Sequence, residues 1–112
     1  MYVKRIKYTS AGASKINEFL RHFTNEEHLT DAEDCLYAEC LMKMRTDAIN
    51  IERHFLRGFD DFTFIEVAPS AELLKNYYVS CLGEELYEKI QKIQIERADE
   101  FDLKVTITEE TI

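Results

Sequence analysis

The stretch DAEDCLYAECLMKMRTDAINIERHFLRG, residues 31–58, decides how this chain is read. Just ahead of it, Thr30-Asp-Ala-Glu33 fits the capping-box pattern. In that pattern the threonine hydroxyl and the later carboxylate satisfy each other's free backbone amides. Apolar positions Leu36, Tyr37, Cys40, Leu41, Met44, Ala48, Ile51 and Phe55 then advance in steps of three and four, the spacing of one helix face. Arg53, His54 and Arg57 suit a helix C-terminus, and Gly58 supplies a stop. The pattern predicts one helix from Asp31 to Arg57, about 40 Å long at about 1.5 Å per residue, as the spine of the domain.

The same stretch holds two of the three cysteines. On a helix, Cys35 and Cys40 diverge by about 140° around the axis, so they share neither a metal ion nor a disulfide. The expected role is packing, with the thiol as a small hydrophobe. Leu36, Cys40 and Met44 form the buried stripe and Cys35 its edge. Asp34 and Glu39 spread over a polar flank that Asp31 and Glu33 extend toward the cap.

Working outward, Tyr2–Tyr8 (YVKRIKY) reads as a strand, an edge strand whose lysines guard against edge-to-edge pairing. Ile16, Phe19, Leu20 and Phe23 recur at helical spacing and predict an amphipathic helix over Ala13–His22. Thr24–Glu27 is a second capping-box candidate. On the other side, Asp61–Val67 (DFTFIEV) reads as a strand apolar on both faces, hence central and covered on both sides. Pro69 ends it. Ser70 caps a helix with Leu73, Leu74, Tyr77, Tyr78, Cys81 and Leu82 inward and Gly83 as the stop; of the adjacent Tyr77 and Tyr78, one is expected to be exposed. Glu84–Ile93 reads as a further helix, with residues 93–98 open between helix and strand. Phe101–Thr108 alternates strictly as a strand, and Glu109–Ile112 are expected to fray. The order is β-α-α-β-α-α-β. The fold class is α+β: a small mixed sheet of three to four strands packed against helices, with one long central helix.

A chain of 112 residues with 46% apolar content suits one globular domain, residues 1–112. No apolar run reaches the length of a signal peptide core or a bilayer span, and three unpaired-looking cysteines match no disulfide framework. The expected place is the cytoplasm.

Catalytic signatures are missing. His22 and His28 flank Glu26, Glu27 and Asp31, but their spacing matches no metal-ligand rule. Cys81 with His54 is the only nucleophile–base pairing to name, and Cys81 falls on an apolar helix face where a thiolate is suppressed. Asp60-Asp61 and Glu84-Glu85 are adjacent acids at element starts, the usual place of solvated caps. No glycine-rich phosphate loop is present. The expectation is a protein with no catalysis, metal or cofactor.

Charge is the feature that remains. The net charge is −8, which disfavours direct contact with nucleic acid or an anionic membrane. Residues 24–39 carry Glu26, Glu27, Asp31, Glu33, Asp34 and Glu39 and no base, and Asp60 and Asp61 open a second acidic block. Lys4, Arg5 and Lys7 make the N-terminus basic. A rigid surface dense in carboxylates speeds association with a cleft lined by lysine and arginine. The expected function is occlusion of a basic partner protein, such as a toxin nuclease or another nucleic-acid enzyme, through those eight acids. This profile is similar to that of bacterial immunity proteins and phage-encoded inhibitors, a likeness of class that carries over no residue. The alternative is a subunit that self-associates through its helix faces, without catalytic activity.

Overall fold

Residues 31–58 divide between a helix and a strand. In the computed structural model, Asp31–Thr46 is helical and Glu52–Arg57 is extended, so the single helix to Arg57 is corrected. Asn50 takes a positive φ of 72°, a conformation asparagine tolerates better than most residues. Beyond it, the spacing of Ile51 and Phe55 imitates a helix face. The backbone of this segment instead finds its hydrogen bonds in a distant strand, with Arg53 opposite Glu66 and Phe55 opposite Phe64.

The structure describes residues 1–10, 15–18, 29–46 and 50–112, and only the backbone at 45, 46, 94, 97 and 100. The elements are β1 (Tyr2–Thr9), α1 (residues 15–18), α2 (Asp31–Thr46), β2 (Glu52–Arg57), β3 (Asp61–Ala68), α3 (Ala71–Leu82), α4 (Glu84–Glu100) and β4 (Lys104–Thr111). Most of the expected helix over Ala13–His22, and the Thr24–Glu27 cap, lie outside the described residues. The α+β class stands. The four strands are ordered β2-β3-β1-β4 and every pairing is antiparallel, so the sheet is not mixed.

β1 is central, not an edge. Its cations face acids on both neighbours: Lys7 pairs with Asp61 of β3 at 3.5 Å and Arg5 with Glu110 of β4. The basic N-terminus thus answers acidic strands beside it, rather than guarding an edge. β4 begins at Lys104 and its pairing with β1 runs through Thr111, opposite Tyr2. Glu109–Thr111 are therefore held, not frayed.

Alternation sorts the sheet into two faces. Tyr2, Ile6 and Tyr8 of β1 share a side with Phe62, Phe64 and Ala68 of β3. There, Tyr2 and Ala68 pack with Tyr37, Cys40 and Met44 of α2, Leu74 and Tyr78 of α3 and Ile90 of α4. At the other end, Tyr8 and Phe62 stack with ring centroids 4.5 Å apart and pack with Ile16, Ala98 and Leu103. The described helices therefore lie on one side. On the opposite side Ile65 and Val67 are half-buried and Val3 is buried, and among the described residues no helix packs over that side of β3. An antiparallel sheet needs only one packed face.

The helix ends follow the local code. Thr30 and Glu33 form the capping box reciprocally, at 3.0 and 3.2 Å. Ser70 Oγ accepts the Leu73 amide at 3.1 Å. Gly83 closes α3 by donating its amide to the Val79 carbonyl at 2.8 Å. α4 continues through residues 93–98 to Glu100, which resolves that segment as helix. Leu36 and Leu73 are exposed, not inward. Among the described residues, no helix is long and apolar enough to cross a membrane.

Candidate functional site

The acidic residues singled out by the sequence do not form one patch. Glu26 and Glu27 lie outside the described residues. Asp31, Glu33 and Asp34 occupy the first turn of α2, where the helix dipole favours them. Glu33 is committed internally: besides its cap, it accepts two contacts from Lys89 of α4, at 2.9 and 3.0 Å. The Thr30 amide and then Lys89 hold its carboxyl below the usual range. Glu39 pairs with Lys43 one turn on, at 2.9 Å. Asp60 lies in the β2–β3 turn and Asp61 opens β3, where the Gly58 amide donates to the Asp61 carbonyl at 3.0 Å. Asp61 is half-buried and bound to Lys7. Asp31, Asp34 and Glu39 remain on exposed backbone of one helix.

That helix presents an apolar strip beside its acids. Cys35, Ala38 and Met42 are exposed, Met42 by 71%, and at offsets of three and seven they fall on one side of α2. Asp31 and Glu39, four residues before and after Cys35, share that side. With Glu39 and Lys43 these residues line a shallow groove. Tyr37, Cys40 and Met44 make up the buried stripe instead.

A second site lies under the helices, and sequence reading did not foresee it. On the packed side of the sheet, one cross-strand row is charged in all four strands. Arg53 of β2 stands opposite Glu66 of β3, Glu66 opposite Lys4 of β1, and Lys4 opposite Glu109 of β4. Above the row, between α3 and α4, is a cavity of about 390 Å³. Tyr78 reaches down from α3 and donates its hydroxyl to Glu66 in a short hydrogen bond, and Tyr2 donates to Glu109 Oε1 at 2.9 Å. The Arg53 guanidinium lies 4.7 Å from the Phe64 ring centroid, a cation–π distance. Its Nε is buried with no hydrogen-bond partner among the described residues.

The electrostatics follow from this crowding. Burial, then the Glu66 carboxylate, pushes the Tyr78 hydroxyl far above its ordinary range. Burial opposes the Arg53 charge, but the surrounding Tyr37, Tyr78 and Glu66 more than offset it and hold the proton tightly. Phenols here stay neutral donors, and the guanidinium stays charged.

The other catalytic candidates are not assembled. Cys81 lies on the helix side, beside Cys40, whose thiol is pushed up to about 12 by burial and then by Cys81. His54 projects from β2 on the opposite side of the sheet, against Glu52 at 3.0 Å. Neither Tyr77 nor Tyr78 is left free: Tyr77 donates to the Cys40 carbonyl at 3.0 Å and Tyr78 is buried. Two members of the charged row were legible. Alternation places Lys4 among Tyr2, Ile6 and Tyr8, and Glu66 among Phe62, Phe64 and Ala68, so each is a charge on an apolar face. Arg53 was hidden by its assignment to a helix end.

No known family profile and no curated protein matches this chain. A crystal structure described as a dimeric ferredoxin-like protein, from an uncultured marine organism, superposes with a TM-score of 0.51 at 12% identity, covering 100% of this chain and 94% of that one. A de novo designed protein superposes with a TM-score of 0.46 at 12% identity, covering 99% and 97%. At such identity the first likeness speaks to architecture alone: this chain has a ferredoxin-like α+β fold.

Proposed function

We propose that this chain is a cytoplasmic binding protein that occludes a basic partner protein through the outward side of α2 and performs no catalysis. The carrying observation is the exposed strip Cys35, Ala38 and Met42 with Asp31 and Glu39 on the same side and Asp34 beside it. An apolar centre with a charged rim is the usual anatomy of a protein interface. The net charge of −8 adds long-range attraction to a cationic cleft, the kind that a toxin nuclease or other nucleic-acid enzyme carries. Asp60 and Asp61 form a separate group, and Glu33 and Asp61 serve internal contacts, so Asp31, Asp34 and Glu39 carry the reading.

The test is capture of partners by the tagged full chain, followed by titration of a captured basic protein. Asp34→Lys with Glu39→Lys is expected to weaken that complex by about 10-fold or more, because like charges are then opposed across the interface. Glu33 is left intact in this variant, since reversing it would break the tie to Lys89. Unchanged affinity, or no basic protein among the captured ones, rules the reading out.

The alternative, a self-associating subunit, is supported by a different surface from the helix faces first expected. The side of the sheet away from the described helices carries buried Val3, half-buried Ile65 and Val67 and exposed Leu56. Light scattering separates the two readings: a stable dimer broken by Leu56→Glu favours the subunit, a monomer the occluder.

A further inference from the structure

We propose that the cavity between α3, α4 and the sheet binds a small zwitterion, an amine–carboxylate with an apolar body, the chemistry of an aromatic α-amino acid. This goes beyond partner occlusion and uses none of the acids of α2.

The row Arg53–Glu66–Lys4–Glu109 is an expensive way to fill the packed side of a sheet. Glu66 is only 7% exposed and Arg53 and Lys4 are half-buried, and apolar residues of similar volume avoid the desolvation of these charges. The cavity over it, about 390 Å³, has the size of a small-ligand pocket. A ligand that uses the charges accounts for both facts.

Position and sign select the ligand. Two cations, Arg53 and Lys4, line the cavity on the sheet side. Arg53 Nε is buried without a partner, and the Lys4 ammonium makes no ion pair among the described residues, although it stands between Glu66 and Glu109 in register. A ligand carboxylate seated between Arg53 and Lys4 meets both positive charges. At the mouth, exposed Glu109 and Glu88 offer acceptors for an ammonium. The lining cations Lys4, Arg53 and Lys75 equal in number the lining acids Glu66, Glu88 and Glu109. A dipolar, net-neutral ligand preserves that balance, while a lone anion is also repelled by the acidic chain as a whole. Leu74 and Ile95 supply an apolar wall, and Tyr87 stacks on Tyr78 with centroids 5.5 Å apart, so the ligand body meets aliphatic and aromatic surface.

The test is titration of the isotope-labelled full chain, followed by NMR, with three probes of one shape: L-phenylalanine with both charges, 3-phenylpropionate with the acid alone, and phenethylamine with the amine alone. L-phenylalanine is expected to shift resonances of β1, of Glu66 and of β4 around Glu109. It is expected to bind at least about tenfold more tightly than either single-charge probe, the worth of one charge-assisted hydrogen bond. Glu109→Gln keeps an acceptor for the Tyr2 hydroxyl but removes one of the two negative charges that face the ammonium, and should reduce the advantage of L-phenylalanine over 3-phenylpropionate. Arg53→Met should weaken both acid-bearing probes; if that variant does not fold, the Glu109 variant decides alone. Binding of a single-charge probe as tight as that of L-phenylalanine, no shifts with any probe, or an undiminished advantage in Glu109→Gln overturns the proposal.

Discussion

Glu66 is tolerated on the apolar side of β3 because Tyr78 donates to it and Arg53 stands opposite. Removing the phenol oxygen leaves a buried carboxylate short of one bond. Tyr78→Phe is therefore expected to lower the unfolding free energy by about 1–3 kcal/mol, read from urea denaturation at neutral pH. A loss below about 0.5 kcal/mol, the scatter of ordinary surface changes, would show that Glu66 does not depend on it. The carboxylates legible as candidates behave differently from one another. Glu33 became a tether to Lys89 and Asp61 a partner of Lys7, contacts between residues far apart in the chain. Sequence spacing names the charge but not the cation that reaches it.

Elements were read well where local chemistry decides them. The Thr30–Glu33 box and the Ser70 cap stand where they were expected, because a cap is satisfied within four residues of itself. The α3–α4 junction is of the same kind. Gly83 has φ 83° and ψ 156°, a region open essentially to glycine alone, and a Cβ there meets nothing within 4 Å. Gly83→Ala should thus cost about 1–3 kcal/mol through backbone strain without any clash. A thermal melt matching that of the parent protein would disprove the strain. β2 shows the opposite case. Residues 52–57 carry a pattern compatible with helix or strand, and β3 settles it by supplying the hydrogen-bond partner.

Across the whole molecule, tyrosines are built into the core: Tyr78 ties α3 to β3, Tyr2 joins β1 to β4, and Tyr8 stacks on Phe62. Burial is the first cause of the raised hydroxyls of Tyr2, Tyr78 and Tyr87, and pushes Tyr8 up to about 12. In the unfolded chain they titrate near their ordinary value of about 10. Between about 10 and the folded values, the native state keeps protons that the unfolded state releases, so stability is intact below about pH 10 and falls as pH rises above it. Phenolate absorbance and loss of far-ultraviolet circular dichroism should accordingly rise together in alkaline titration. Tyrosines ionising near pH 10 with the dichroism unchanged would contradict this. The α+β class, the caps at Thr30 and Ser70, the stop at Gly83 and the alternation of β1, β3 and β4 were determined by the sequence alone, since each depends on residues a few positions apart. The strand at residues 52–57, the central place of β1, the packing of the described helices on one side of the sheet and the charged row under α3 and α4 were decided only by tertiary structure. Each requires a partner tens of residues away, such as Glu109 for Lys4, and no local pattern records which partner the chain will meet.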